Sequence, residues 1–264
     1  MDIYRKIVEL REQGQDCALC TIVETKGSTP GKSMMKMLVQ RDGSFVGSVG
    51  GGCLEAEVLE AALASLSDER PRLLSFALNE RDYPDSGLIC GGRLSIYVEP
   101  IVEPRLYLFG GGHVSAAVAK LAHSVGFHVT VADDRAEFAN SERHPHAQAF
   151  HGGPFAALIQ KVAPLSDAYV IAATRGHDQD GLVLSALAKH HCRPRYLGMI
   201  GSQAKKAVLF EQLQAAGVSA EFLAQVESPM GLPIGARTHD EIAISVVARL
   251  IEIRRLGGPG APLR

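Results

Sequence analysis

The chain has 264 residues, enough to bury one large core or two smaller ones. Its 27 basic and 29 acidic side chains leave a formal net charge of -2, so nothing advertises nucleic acid or a membrane surface as a partner. No apolar run approaches the roughly 18 residues that span a bilayer, and the start MDIYRKIVELREQGQ lacks the apolar core of a secretory signal; a cytoplasmic location is the expectation.

Residues 1–14 place Ile3, Ile7, Val8 and Leu10 near helical spacing, with Gly14 as a stop. Residues 18–25 and 34–40 read as strands joined by KGSTPGKS, and Asp42-Gly43 signals a hairpin into SFVGSVG. The five cysteines, at 17, 20, 53, 90 and 192, are an odd number without framework spacing, which argues for reduced thiols. Cys17 and Cys20 form a C-x-x-C pair, but residues three apart on a strand point to opposite faces, so they read as buried cysteines and not as a metal site.

A glycine-rich turn, GSVGGG, then runs into an amphipathic helix carrying Leu54, Val58, Leu59, Ala62 and Leu66. Cys53 stands at the start of that helix, where the dipole and free N–H groups favour a thiolate. RLLSFAL, the polar loop NERDYPDSG and LICGGRLSIYVEP complete this half, with Cys90 in a loop before Gly91 and Gly92. For each of these two thiols the plainer alternative is a small buried hydrophobe. Pro100 and Pro104 bracket IVE as a short linker, giving an α+β domain over residues 1–100 and a second domain over 101–264.

The second domain opens with RLYLFGGGHVSAAVAKLAHSVGFHVTVADDR: an apolar run, a turn on Gly110, Gly111 and Gly112, helical spacing at Val114, Val118, Leu121 and Val125, and an alternating run ending at Asp133. This is the strand, turn, helix, strand unit of a dinucleotide fold, with the first acid about 20 residues past the glycines. A turn without Cβ atoms lets a phosphate reach backbone N–H groups at a helix start, and an acid ending the second strand accepts from ribose hydroxyls. The third fingerprint position is Ser115 with Ala116 and Ala117 next, so helix-to-strand packing rests on small residues. Arg135 beside Asp133 leaves a 2′-phosphate as open as a free hydroxyl.

Further alternation follows: a strand at 147–150, helix 155–162, strand 168–174, helix 180–190, strand 196–200 and helix 203–217. A last helix is capped by Thr238 with Glu241 and carries Ile242, Val246 and Leu250. The fold class is therefore α/β, a Rossmann-like parallel sheet behind an α+β domain. Ligands bind such sheets outside the carboxyl ends of the strands. That rim comprises residues 110–113, 133–135, 151–153, 174–178 and 201–202, and it gathers His113, His177, Arg135 and Arg175 for an anion or a proton. No zinc-protease, nucleophile-elbow or Walker motif is present.

Several motifs in order carry a resemblance: CTIVETKGSTPGKSMMKMLV, GSVGGGCLEAEV, ICGGRLSIYVEP, LFGGGHVSAAVAKLAHSVGFHVTVADDR, ATRGHDQD, YLGMIGSQAKK and SPMGLPIGARTHDEIAISVVARLI. The chain resembles the XdhC/CoxI family of accessory factors for molybdenum hydroxylases such as xanthine dehydrogenase. It departs from the commoner family wording at KGSTPGKSMMKM and at GSQAKK, where an arginine often follows the serine. The resemblance implies a cofactor carrier with little or no turnover of its own. Such a carrier binds the molybdenum cofactor (molybdopterin), promotes its sulfuration with a cysteine desulfurase, and hands it to an apo molybdenum hydroxylase, as a homodimer. Carried over by motif, the candidates are Cys53, Cys90, the turn Gly110, Gly111 and Gly112 with His113, Asp133, Arg175 and His177. Cys53 or Cys90 is then expected at the mouth of the rim, touching molybdenum or its incoming sulfur. The competing readings are an NAD(P)-dependent oxidoreductase using the same turn with His113 or His177 as acid and base, and a regulatory nucleotide-binding protein.

Overall fold

Strand β1 (Cys17–Lys26) buries side chains on both faces over its first half, and it centres the first of two units into which the chain divides, Met1–Glu103 and Pro104–Arg264. The computed structural model describes residues 2–77, 92–163, 165 and 168–256. Cys90, the strand candidate before it, the NERDYPDSG loop and the tail GGPGAPLR lie outside the described residues.

In the first unit β1 pairs antiparallel with β2 (Lys36–Gln40) and β5 (Arg93–Ile101), flanked by β3 (Phe45–Gly47) and β4 (Arg72–Ala77), in the order β3-β2-β1-β5-β4. Helix α1 (Ile3–Glu12) covers one face and α2 (Gly52–Asp68) the other. Cys17 packs with Leu10 and Leu38 beneath α1, while Cys20 packs with Leu54 and Val58 of α2, so the two sulfurs stand on opposite faces. Burial pushes their thiols up, Cys17 to about 11 and Cys20 to about 12, and neither is a ligand for a shared ion. Two boundaries differ from the sequence reading. Met34 adopts a left-handed turn (φ +71°), so β2 starts only at Lys36. Pro100 lies inside β5 opposite Ala18, and Ile101 still pairs with Cys17, so IVE is not a free linker.

The second unit is a six-stranded parallel sheet of β6 (Arg105–Phe109), β7 (His128–Asp133), β8 (Ala149–Gly152), β9 (Tyr169–Ala172), β10 (Tyr196–Met199) and β11 (Val226–Glu227), ordered β11-β10-β9-β6-β7-β8. Counted from β6 this is the doubly wound order 3-2-1-4-5-6. Helices α3 (His113–Ser124) and α8 (His239–Leu256) cover one face. The other face is covered by α4 (Phe155–Val162), α5 (His177–Lys189), α6 (Gln203–Ala215) and α7 (Ala220–Ala224). Period-2 alternation divides the strands between them: Leu106, Leu108, Val129 and Val131 face α3 and α8, and Phe109, Ala132, Val170 and Ala172 face the opposite layer. Helix α5 begins at His177, before the apolar spacing does, because its first turn is the polar HDQD. Among the described residues no helix is long and apolar enough to cross a membrane.

Candidate functional site

The chain leaves β6 for β7 on one side and later returns to β9 on the other, so the strand order reverses at β6. A crevice at such a switch point collects ligands. The glycine turn that fills it uses each glycine differently. At Gly110 (φ +110°) a Cβ would strike the Ala173 carbonyl at the exit of β9, and at Gly111 it would strike the Phe138 carbonyl. At Gly112 (φ −81°) a Cβ would meet nothing within 4 Å. Gly112 is also the cap of α3 and supplies no side chain to the helix, so no side chain caps the first N–H groups of α3 at the positive end of its dipole. Ser115, at the third fingerprint position, heads the buried stripe of α3, and its Oγ has no partner among the described residues.

Asp133 ends β7 almost fully buried. Its Oδ2 accepts from the Gly111 N–H at 2.8 Å, and its Oδ1 accepts from the Arg135 backbone and Nε, both at 3.0 Å. Burial alone would raise this carboxyl, but hydrogen bonds from Arg135 and Gly111 outweigh it and hold the carboxyl below its usual range. Asp133 thus braces the turn, where the sequence pattern reads a ribose acceptor; both of its oxygens are engaged. Its neighbour Asp134 turns outward and pairs with Arg175 at 2.9 Å. That pair links the loops leaving β7 and β9, the two strands that flank β6.

The loop after β9 is fixed from inside. The buried Asp180 accepts from the Thr174 N–H (3.0 Å) and Oγ1 (2.7 Å), which presents Arg175 at the rim half exposed. Burial raises the Asp180 carboxyl despite those bonds. His177, the first residue of α5, is solvent-exposed and faces Asp178 at 3.2 Å. His151 lies within β8 instead of beyond it, its imidazole pushed down by burial and by Lys161. Ser202 caps α6 by accepting from the Lys205 N–H.

His113 opens α3 and stacks on His239, which opens α8, with ring centroids 5.3 Å apart and planes 7° from parallel. At the other end Arg254 of α8 donates to the Val125 carbonyl after α3. The two helices therefore run side by side in the same direction, and both positive ends sit at the glycine turn. His144, which no motif marks, is buried behind the turn with Nε2 at 3.0 Å from the Phe138 carbonyl, and burial pushes its imidazole down. Asp134, Asp180, His144 and His239 carry no spacing signal of their own; only the THDE capping box marks the place of His239, realised as Glu241 N–H to Thr238 Oγ1 at 3.2 Å.

In the first unit, Cys53 is exposed in the first turn of α2 behind three consecutive left-handed glycines, Gly50, Gly51 and Gly52. Glu55 holds this loop: its Oε1 accepts from Ser48 Oγ (2.6 Å) and from the N–H groups of Gly51 (3.0 Å) and Val49 (3.1 Å). Close backbone approaches join neighbouring motifs here, because a Cβ at Gly31 would strike the Val49 carbonyl and one at Gly92 the Ser28 carbonyl. KGSTPGK, GSVGGG and the last glycine of CGG thus meet at one end of the unit.

The chain is similar to known proteins over most of its length. Residues 106–250 match the XdhC Rossmann domain and residues 10–77 match the XdhC and CoxI family. The chain is 36% identical over 263 residues to the uncharacterized protein YqeB of Escherichia coli K12, covering 98% of this chain but only 47% of YqeB, about half its length. It is 24% identical to a probable xanthine dehydrogenase subunit of Bacillus subtilis 168, over 93% of this chain and 96% of that one. It is also 24% identical to the molybdenum cofactor insertion chaperone PaoD of E. coli K12, over 96% and 88% of the two chains. A solved xanthine dehydrogenase from Bacillus halodurans shares the fold, with TM-score 0.53, 23% identity, and 99% and 98% of the chains covered.

Proposed function

The chain belongs to the XdhC and CoxI family, and from that premise we propose that it is a maturation factor that carries the molybdenum cofactor and supports its sulfuration and insertion into a xanthine dehydrogenase-type hydroxylase. The observation that carries the reading is the uncapped start of α3 at Gly112, open to the outside at the point where the sheet order reverses. Molybdopterin bears a phosphate, or a pyrophosphate when joined to a nucleotide, and such a group fits helix N–H donors with an arginine at the rim. In this reading Gly110 and Gly111 shape the turn, Gly112 and His113 meet the phosphate, Asp133 braces the turn, and Arg175 with His177 borders it. The relatives named as a molybdenum cofactor insertion chaperone and as part of a xanthine dehydrogenase support the same cargo and the same kind of recipient.

The sulfur chemistry belongs to Cys53 and Cys90, thiols suited to a soft metal or sulfane sulfur supplied by a cysteine desulfurase. Homodimer formation is part of the proposal; exposed Leu73 opposite Tyr97 on the antiparallel sheet offers an apolar patch for it. The NAD(P) oxidoreductase reading is the weaker one, since Asp133 has no oxygen to spare for a ribose.

Purification from cells that make the cofactor tests the proposal. The chain should emerge with molybdenum and pterin fluorescence, and the double replacement Cys53→Ala, Cys90→Ala should keep binding but lose activation of the partner hydroxylase. Binding of NADPH or NADH with no molybdenum or pterin would remove the carrier role; unchanged activation by the double variant would remove the thiols.

A further inference from the structure

Between the exit of β10 and the start of α8 lies a cavity of about 720 Å³ that none of residues 110–113 lines. Its walls are apolar: Ile200 at the exit of β10, Met230, Leu232 and Ile234 from the SPMGLPIG loop, and Ile242 from the first turn of α8. Its edges are polar, with Gln203, and with Ser245, whose Oγ donates to the Leu232 carbonyl at 2.6 Å. Behind Gly201, which lines it, the Ser228 Oγ is buried with no partner among the described residues.

The wall is held open by an internal brace. The Gly231 N–H donates to the Tyr196 hydroxyl and to Glu227 Oε1, both at 3.1 Å, and Tyr196 itself donates to Glu227 at 3.0 Å. Arg249 closes the set on Glu227 at 2.7 Å. A loop of Met, Leu, Pro and Ile would otherwise collapse to hide its apolar surface, yet Ile234 remains 56% exposed. A fixed apolar hollow with a few polar groups at its edge has the composition of a small-molecule site, and its volume falls in the range of such sites.

The position decides the occupant. Ile242 stands one turn beyond His239, which stacks on His113 of the glycine turn, so the cavity begins on the order of 10 Å from the phosphate seat. We propose that this cavity takes the planar heteroaromatic ring of the ligand whose phosphate lies at Gly112, an inference that rests on the phosphate seat proposed above. The flat faces of such a ring lie against Ile200, Met230 and Ile242, and its polar edge meets the hydroxyl and amide groups.

The experiment is titration of the full chain with pyrophosphate, with 6-hydroxymethyl-7,8-dihydropterin pyrophosphate and with NADH. At least one of the two ring-bearing probes should bind about tenfold more tightly than pyrophosphate. Ile242→Trp, which crowds the end of the cavity nearest the phosphate seat, should erase that gain and leave pyrophosphate affinity unchanged. Ile234→Asp, at an exposed position that does not support the core, should do the same and guards against misfolding of the first variant. A gain for the pterin favours the carrier and a gain for NADH alone favours the oxidoreductase; either one, erased by the variants, supports the cavity. Pyrophosphate binding with no gain from either ring, or a gain that survives both variants, overturns the cavity alone. If neither pyrophosphate nor a ring-bearing probe binds, the phosphate seat falls and this inference falls with it.

Discussion

At the scale of single residues, two adjacent carboxylates at the end of β7 have opposite roles. Asp133 is tied inward to Gly111 and Arg135, while Asp134 is tied across the rim to Arg175. Asp134 competes with an anion for Arg175, so Asp134→Asn should tighten pyrophosphate binding about threefold at low salt, within the worth of an exposed ion pair. Arg175→Ala should weaken it; calorimetric titration measures both. Asp180 makes a different prediction, because its buried carboxyl titrates above its unfolded value. The native state then holds that proton more tightly than the unfolded chain does, so stability falls as pH rises through the window between the two values. Asp180→Asn keeps an oxygen to accept from Thr174 and removes the buried charge. It should raise the melting temperature by a few degrees at pH 7, for about 1 kcal/mol, and the gain should vanish below about pH 4.

At the scale of elements, the glycine turn separates shape from access. Gly110→Ala forces both a positive φ and a collision with the Ala173 backbone, and should cost about 3 kcal/mol or prevent folding. Gly112→Ala meets open space at an ordinary φ, so it should cost only about 0.5 kcal/mol as a poorer cap, yet weaken pyrophosphate binding by crowding the N–H groups. Thermal melts set beside titrations distinguish the two. The turn, α3 and β7 were legible because glycine positions, a 3.6-residue period and a 2-residue period all agree there. The small elements α7 and β11 were not, being five and two residues long with no period to read. The site was half legible. Gly112 and Arg175 follow from position after a strand, but the engagement of Asp133, the cross-rim partner of Arg175 and the Tyr196–Glu227–Arg249 brace depend on which distant residues meet, and no local pattern encodes that.

Across the whole molecule, cysteine burial divides the thiols by reactivity. Cys17, Cys20 and Cys192 are fully buried and their thiols are raised by burial, whereas Cys53 is exposed at the head of α2. Alkylation of the native protein, followed by mass spectrometry, should label Cys53 at least about 100-fold faster than those three, and all should label together once the chain unfolds. Labelling of Cys17 or Cys20 at the rate of Cys53 would contradict the two-faced sheet.

The alignment of α3 with α8 has a consequence in time. The first helix of the parallel sheet and the last share one end, so the stacked imidazoles join the two sequence ends of the domain. Contacts between segments so far apart along the chain are slow to form. Closure of the α3–α8 seam should therefore be one of the last events of refolding, trailing the recovery of helical circular dichroism and marking the moment at which the domain is complete.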